Sequence, residues 1–584
     1  MLLPADIRSR TAPGRMERGL LYAHHAIEKR LEALHGSHAR LLHRLRRQHS
    51  WATALVCALT LGAGLLAGLH TGREYFPQVD AGQIRLQVRL PTGTRIEESA
   101  RWLSQVQQEI RSVIPAAELQ SSYEQIGIPD PINLGFVDSA VAGAFEAEIM
   151  LQLRKPHAPT SDYLAQIRQR LAERLPDVRV FERPPDATQR TLAGSALGSL
   201  EARVIGRDVN GNLSIARELE RRLRQTAGAA DVMIRQVSDL PEYQVDIDRI
   251  RAAQLGVDTE QIAQSVLGLL GTAGSMAPVY WIDQQSSISY VVQVQALPQQ
   301  LASIETLMNT PVRFGTLDTP ILLRTIANVR ERLVPATIER TMMAPTVSVV
   351  SNVQGTDLGR VHARLQSITE ELRAELKPGN RIELVGQARE MESAYSELFG
   401  GLLLAAVLVF LVLVFNFQSW IFPVIAMSGL PLAIAGSAIA LWLTGTPLSV
   451  PALMGAMMVI GVSTANSVLV ASFARDLMQA GHDAEAAAYE AASVRLRPVL
   501  MTASAMLLGI LPMSLGLGDG GEQNAPLGRA VIGGLLFSTP ATLLLVPSLL
   551  AAVARRRQRD AVHGSANPSN ALESGSLSTP EEST

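Results

Sequence analysis

Residues 451–473 read PALMGAMMVIGVSTANSVLVASF, a run without Asp, Glu, Lys, Arg or His. Roughly 20 mostly apolar residues cross about 30 Å of hydrocarbon at about 1.5 Å per residue, so this run is long enough to span a bilayer. Five further stretches pass the same test: Trp51 to Leu69, Phe399 to Phe415, Ile421 to Leu443, Pro498 to Leu517 and Ala530 to Val553. The sequence therefore predicts a membrane α-helical bundle of six spans. Its first member is read as a retained span, because basic residues precede it and no small-residue cleavage site follows before Arg73.

The remainder is of a different character. The chain has 584 residues, of which 47% are hydrophobic and 18% charged. These two populations must be segregated. A net charge of −2 carries no signature of polyanion binding, which makes membrane a better partner than nucleic acid. The one cysteine, Cys57, lies inside an apolar run, so no disulfide framework can form within the chain.

Arginines at 44, 46 and 47, at 475, 495 and 497, and at 555–557 flank the apolar stretches. Six spans place all three groups on one side, which the positive-inside rule makes the cytoplasm. The expected organisation is a basic amphipathic cytoplasmic helix over 1–50, span one over 51–71, an external domain over 72–398, spans two to six over 399–557 and a disordered tail over 558–584.

Within the external domain a unit of strand, one-sided helix and strand recurs. One copy pairs Gln83–Leu90 with a helix carrying Leu103, Val106 and Ile110 and a strand near Leu119–Ile126. Others run from Phe145 to Phe181, Leu200 to Val237 and Val347 to Val385. Such copies predict an α+β domain of two ferredoxin-like, split βαβ sandwiches. The mixed segment from about Tyr243 to Pro335 breaks the pattern and reads as an insertion.

Several local motifs now combine. Tyr75, Phe76, Pro77, Asp80 and Gly82 follow span one, and Leu90, Pro91, Gly93 and Thr94 come next. Asp246, Asp248, Leu255 and Gly256 open the insertion. Ile460, Gly461, Asn466, Phe473, Ala474 and Asp476 mark the fourth span, and Arg495, Leu496, Arg497, Pro498, Met501 and Thr502 the fifth. Gln523, Asn524, Gly533 and Gly534 complete the series. In this order they resemble the carboxy-terminal half of a resistance-nodulation-division (RND) efflux permease of the multidrug branch. The resemblance implies a bacterial inner-membrane, multi-pass antiporter subunit with periplasmic porter subdomains and a docking insertion. It also implies a homotrimer or hetero-assembly, a periplasmic adaptor, an outer-membrane channel, and a partner supplying the amino-terminal half or a full-length permease.

The family's proton path uses an intramembrane Asp pair in the first half and a Lys in the second; here the Lys position is Ala465. None of the six stretches contains Asp, Glu, Lys, Arg or His. Ser463, Thr464, Asn466, Ser467 and Ser472 form a polar cluster, with Ser463, Asn466 and Ser467 at i, i+3 and i+4 on one face. Interhelical hydrogen bonding explains such a face, and a shell around a partner's Asp pair explains it too. Thr502 and Arg495 match relay-associated positions, although Arg495 also satisfies the positive-inside pattern.

Six histidines precede residue 50, including the pair His35 and His38, without a completing ligand set. Met342, Met343 and Met391 are soft-ligand candidates, or core filling. Gly516–Gly521 lacks the Lys and Ser/Thr of a phosphate loop, and no triad or paired carboxylates point to an enzyme or a bound cofactor. Export of amphipathic compounds leads this reading. Heavy-metal export, a protein-translocation accessory and an inactive truncation remnant stay open beside it.

Overall fold

The computed structural model describes residues 36–38, 40, 50–129, 141–185, 191, 196–270, 279–292, 303–314, 320–518 and 520–565. The expected helix over 1–50 and the tail beyond Ser565 lie almost wholly outside them. Helix α1, Ser50–His70, leads into the external domain.

The first sandwich comprises β1 (Gln83–Arg89), α2 (Ile96–Val113), β2 (Leu119–Ile126), β3 (Glu146–Leu153), α3 (Thr160–Arg174) and β4 (Arg179–Glu182). Its sheet order, β2-β3-β1-β4, is antiparallel throughout. Leu103, Val106 and Ile110 on α2 and Leu164, Ile167 and Leu171 on α3 recur at helical spacing and meet Ile84, Leu86 and Val88 in one core. The alternate residues of β1, Arg85, Gln87 and Arg89, lie on the other face, where alternation alone predicts water. That face is instead covered. Arg85 pairs with Glu148, and the Arg89 guanidinium bonds the carbonyls of Ile234 and Arg235 at 2.7 Å each.

The second sandwich contains β5 (Leu200–Ile205), α4 (Val209–Arg224) and β6 (Ala229–Ile234). An insertion then intervenes. It leaves through β7 (Leu240–Ile247), passes through α5 (Arg249–Gln254), α6 (Thr259–Leu270), the hairpin β8 (Val279–Ile282) with β9 (Ser289–Val292), α7 (Ile304–Met308), β10 (Pro311–Phe314) and β11 (Pro320–Leu322), and returns on β12 (Ala327–Val334), paired antiparallel with β7. The sandwich resumes with β13 (Glu339–Thr341), β14 (Ala344–Val353), α8 (Leu358–Arg373) and β15 (Arg381–Val385). Strand β14 pairs with β5, β6 and β13, and β15 closes on β5.

Five stretches are long and apolar enough to cross a membrane: Gln387–Phe417, Ile421–Leu443, Val450–Gln479, Ala484–Ser514 and Ala525–Arg556. The described apolar part of α1, Ala54–His70, falls short of that length. The helices are α9 (Gln387–Phe417), α10 (Ile421–Met427), α11 (Leu430–Leu443), α12 (Val450–Gln479), α13 (Ala484–Ser514), α14 (Ala525–Pro540) and α15 (Val546–Ser565). A π-helical turn over Ala541–Leu545 separates the last two. The stretch read as one span from Ile421 is thus broken near Gly429, just ahead of Pro431. Helix α15 continues past Gln558, where the tail was expected to begin.

Backbone proximity organises the bundle. A Cβ on Gly533 would sit 2.5 Å from the Gly436 carbonyl oxygen, and one on Gly436 would sit 2.6 Å from that of Gly533. Only glycine permits this seam between α11 and α14, and Ser437 Oγ donates across it to Ala530 O at 2.8 Å. Helix α9 lies outside the seam with most of its apolar surface uncovered.

Candidate functional cleft and the polar cluster of the long apolar helices

Between the two sandwiches, the segment leaving α1 and the turn joining α13 to α14 lies a cavity of about 680 Å³. Four carboxylates line it: Glu74, Asp80, Glu182 and Glu522. Two guanidiniums, Arg168 and Arg183, face them.

Both guanidiniums are already engaged by carboxylates of the walls. Arg168 on α3 donates from Nε to Asp231 Oδ1 at 2.8 Å, from Nη2 to Asp231 Oδ2 at 2.5 Å and to Glu182 Oε2 at 2.7 Å, and from Nη1 to Gln354 Oε1 at 3.0 Å. Asp231 belongs to β6, so this clamp joins the sandwiches. Its backbone is left-handed, with φ 54°, a region Asp tolerates better than most side chains. Asp231 also accepts from Glu182 N at 3.1 Å and from Asn352 Nδ2 at 3.0 Å. Burial pushes the Glu182 carboxyl above its usual range; the Arg168 charge opposes this and Asp231 adds to it. Burial works against the Arg168 charge, yet the Asp231 and Glu182 contacts outweigh it and hold the guanidinium protonated. Arg183 Nη1 donates to Glu148 Oε1 at 3.1 Å.

The other three carboxylates meet amide donors or none. Asp80 accepts from Gly82 N at 3.0 Å and Thr160 N at 2.9 Å, and Glu522 Oε2 accepts from Asp80 N at 3.2 Å. Burial, followed by the neighbouring Asp357 charge, pushes the Glu74 carboxyl up to about 7. A more open hollow of about 560 Å³ shares Asp80 and Glu522 and adds Lys155 and His157. No group of three or more His, Cys, Asp or Glu among the described residues converges to hold a metal tightly. The lining of the cleft carries more carboxylates than guanidiniums.

The polar cluster of α12 faces inward. Ser463, Thr464, Asn466 and Ser467 are all buried. Ser467 Oγ and Thr542 Oγ1 lie 3.0 Å apart, Thr502 Oγ1 donates to Asn466 Oδ1 at 3.4 Å, and Thr464 Oγ1 donates back to Ile460 O at 2.8 Å. Ser463 Oγ meets no hydrogen-bond partner among the described residues. Arg495 is not part of this group. It lies two turns from Thr502 on α13, its guanidinium carbon 4.9 Å from the centre of the Phe473 ring. Ala465 is exposed on the opposite side of α12.

Two sequence expectations change. Helix α14 begins at Ala525, so Arg529, just outside the expected window, falls inside the apolar stretch; it donates to Ser514 O at 3.0 Å and Thr446 Oγ1 at 2.5 Å. The three methionines do not form one site. Met342 and Met343 occupy an exposed hairpin tip, whereas Met391 is buried under the second sandwich. His38 is described without His35, and its ring contacts Leu543 O at 3.3 Å.

Sequence reading singled out Asp80 as part of a motif and missed Glu74, Arg168, Glu182, Asp231 and Glu522. Their partners are distant along the chain, and only the residues beside the Tyr75–Gly82 motif offered a local signal.

The family model described as AcrB/AcrD/AcrF matches residues 12–554. The chain belongs to the AcrB/AcrD/AcrF family. Within this RND permease family, it is similar to the cation efflux system protein CzcA of Alcaligenes sp., with 26% identity over 87% of this chain and 47% of that protein. It is also similar to the nickel and cobalt resistance protein CnrA of Cupriavidus metallidurans, with 28% identity over 85% of this chain and 46% of that protein. A solved heavy metal efflux pump superposes with a TM-score of 0.76 at 25% identity, covering 90% of this chain and 52% of that one. The chain spans about half the length of the curated relatives it matches. These findings point away from the multidrug branch expected from the motifs: these relatives carry cation-efflux and metal-resistance names.

Proposed function

We propose that the chain forms part of an RND efflux permease that exports divalent heavy-metal cations through the cleft between its sandwiches. The observation that carries this reading is the charge of the cleft. Its two guanidiniums are engaged by wall carboxylates, while Asp80 and Glu522 stand at the opening without an ion-pair partner among the described residues. A cleft with an excess of one sign of charge concentrates counter-ions, and carboxylates outside ion pairs suit a cation that must also leave. The metal-resistance relatives support the same choice.

In this reading α1 and the five long apolar stretches make six spans in a bacterial inner membrane, with the sandwiches as periplasmic porter subdomains and the insertion as a docking subdomain. A partner bundle, trimeric assembly, adaptor and outer-membrane channel complete the exporter. Asn466, Thr502, Ser463, Thr464 and Ser467 then form a polar shell beside the partner's proton-carrying groups, and Arg495 anchors the cytoplasmic end of α13.

The test is Co2+ binding to the purified chain by equilibrium dialysis. Two charges within about 5 Å interact by roughly 3 kcal/mol at an effective dielectric near 20. The paired exchange Asp80→Asn with Glu522→Gln should therefore weaken Co2+ binding at least about tenfold. Unchanged Co2+ affinity in the double variant, or binding only of an amphipathic dye that Co2+ does not displace, refutes the cation reading.

A further inference from the structure

Serine and threonine inside a helix commonly return their hydroxyl to the carbonyl one turn back. The bundle does this at Thr464, whose Oγ1 donates to Ile460 O at 2.8 Å, at Ser437, which reaches Ala433 O at 3.2 Å, and at Ser548, which reaches Leu544 O at 2.6 Å. Ser463 of α12 and Ser538 of α14 do not. Each is 1% exposed, and neither Oγ meets a hydrogen-bond partner among the described residues. A buried hydroxyl left without a partner is costly, so two of them call for a ligand.

The packing of α12 on α14 brings these two hydroxyls to one level. Ser467 Oγ of α12 and Thr542 Oγ1, 75 positions later, lie 3.0 Å apart. Two turns earlier, at the same separation in sequence, a Cβ on Gly534 would sit 2.6 Å from Val459 Cγ1. The helices therefore run side by side in one direction and in constant register. The level between these contacts belongs to Ser463 and Ser538, one turn from each. A third wall comes from the break between α10 and α11: a Cβ on Gly429 would lie 3.6 Å from Ser463 Oγ, 3.9 Å from Ser467 Oγ and 3.8 Å from Ala541 Cβ. The backbone is irregular twice here, at that break and in the π-helical turn Ala541–Leu545, which follows Pro540. Pro540 has no N–H to offer the preceding turn, and in apolar helices the carbonyls freed in this way are met by hydroxyls and ordered water. The contact of Asn466 with Thr502 lies on the α13 side and takes no part.

We propose that Ser463 and Ser538 share a buried water molecule, bound where α12, α14 and the Gly429 break meet, with Ser467 and Thr542 closing the site toward the π-helical turn. Each serine hydroxyl both donates and accepts, so the two complement a molecule that itself donates two hydrogen bonds and accepts two. A buried water makes about three such bonds, and the neighbouring Ser467 hydroxyl completes its set. These four side chains carry no charge. A dehydrated cation would lack a compensating carboxylate, and burying it that way is far costlier than burying a neutral ligand. Neither the cation reading of the cleft nor a partner bundle enters this inference.

Water-edited solid-state NMR of the full chain in lipid bilayers, with carbon-labelled serine, decides this. The Ser463 and Ser538 signals are identified through Ala and Thr replacements at each position. Both Cβ signals should receive magnetisation from water several-fold faster than that of Ser437, which is also buried but bonded to Ala530 O. In Ser463→Ala the Ser538 signal should lose this transfer, and in Ser463→Thr it should keep it. Transfer to Ser463 and Ser538 no faster than to Ser437, or transfer to Ser538 unchanged by Ser463→Ala, overturns the shared water. Thermal melts give a second reading. Ser463→Ala and Ser538→Ala should each lower the melting temperature by about 1–3 °C, and the double variant by less than the two together; strictly additive losses overturn the proposal. Wild type should melt alike in sodium, potassium and choline chloride, and stabilisation by one alkali cation alone assigns the site to that ion and overturns the water.

Discussion

Replacing Arg168 by Met keeps an unbranched apolar stem and removes the charge that joins the sandwiches. Asp231 is only 4% exposed at its side chain and Glu182 30%, so the substitution leaves two carboxylates facing each other in a partly dry wall. Removing one partner of a fully buried pair costs about 3–5 kcal/mol. The exposure of Glu182 discounts this to roughly 2–4 kcal/mol. For a unit of 150–250 residues that corresponds to a fall in melting temperature of about 4–16 °C. The effect should be larger at pH 8 than at pH 5, because burial and like charge raise the carboxyls once the guanidinium is gone and acid then neutralises them. Arg168→Lys should be intermediate, since a point charge cannot reproduce the fork that reaches Asp231 and Glu182 together. Asp231→Asn retains a residue that accepts the left-handed backbone, so Arg168→Met with Asp231→Asn should recover part of the loss. Differential scanning fluorimetry of the four corners of this cycle in detergent gives the result. A single variant that melts within about 0.5 °C of wild type, or strictly additive losses in the pair, would refute the clamp.

Two further outcomes concern the hairpin tip and the topology. Met342 and Met343 have φ of 49° and 67° between β13 and β14, as in a type I′ turn; exchange to Asn-Gly should stabilise the chain by about 1–2 kcal/mol, read from the same melts. Single cysteines at Asn210 and Ser565 in a Cys57→Ala background should label on opposite sides with an impermeant thiol reagent, because arginines flank the same ends of the apolar stretches; labelling of both from outside would refute this topology.

Periodicity made much of the architecture legible. Leu103, Val106 and Ile110 announce a one-sided helix, and the alternation of β1 announces a strand. Alternation does not tell water from a polar interface, however. Arg85, Gln87 and Arg89 would be equally suited to solvent, and their burial against Glu148 and the second sandwich is a tertiary outcome. Arg529 escaped the reading for a different reason: a charge terminates an apolar window, whereas the helix begins four residues earlier at Ala525. The clamp was invisible because Arg168 and Asp231 are 63 positions apart and no periodic signal links them. The polar face of α12 was readable from the i, i+3, i+4 spacing, and its contacts with Thr502 and Thr542 required the fold. Metal against amphiphile was not legible at all, since the cleft's charge depends on which carboxylates the arginines engage.

Helix α9 has a mechanical consequence. It runs unbroken from Gln387 to Phe417, with Ala388, Met391 and Tyr395 set into the core of the second sandwich and the rest packed against α10 and α12. At about 1.5 Å per residue such a rod is roughly 46 Å long. A tilt of about 5° at its lipid-facing end would shift the opposite end by roughly 4 Å, comparable to the reach of a salt bridge. If α9 spans a bilayer as proposed, a tilt imposed by membrane thickness or tension would be carried along this rod to the second sandwich, which forms one wall of the cleft.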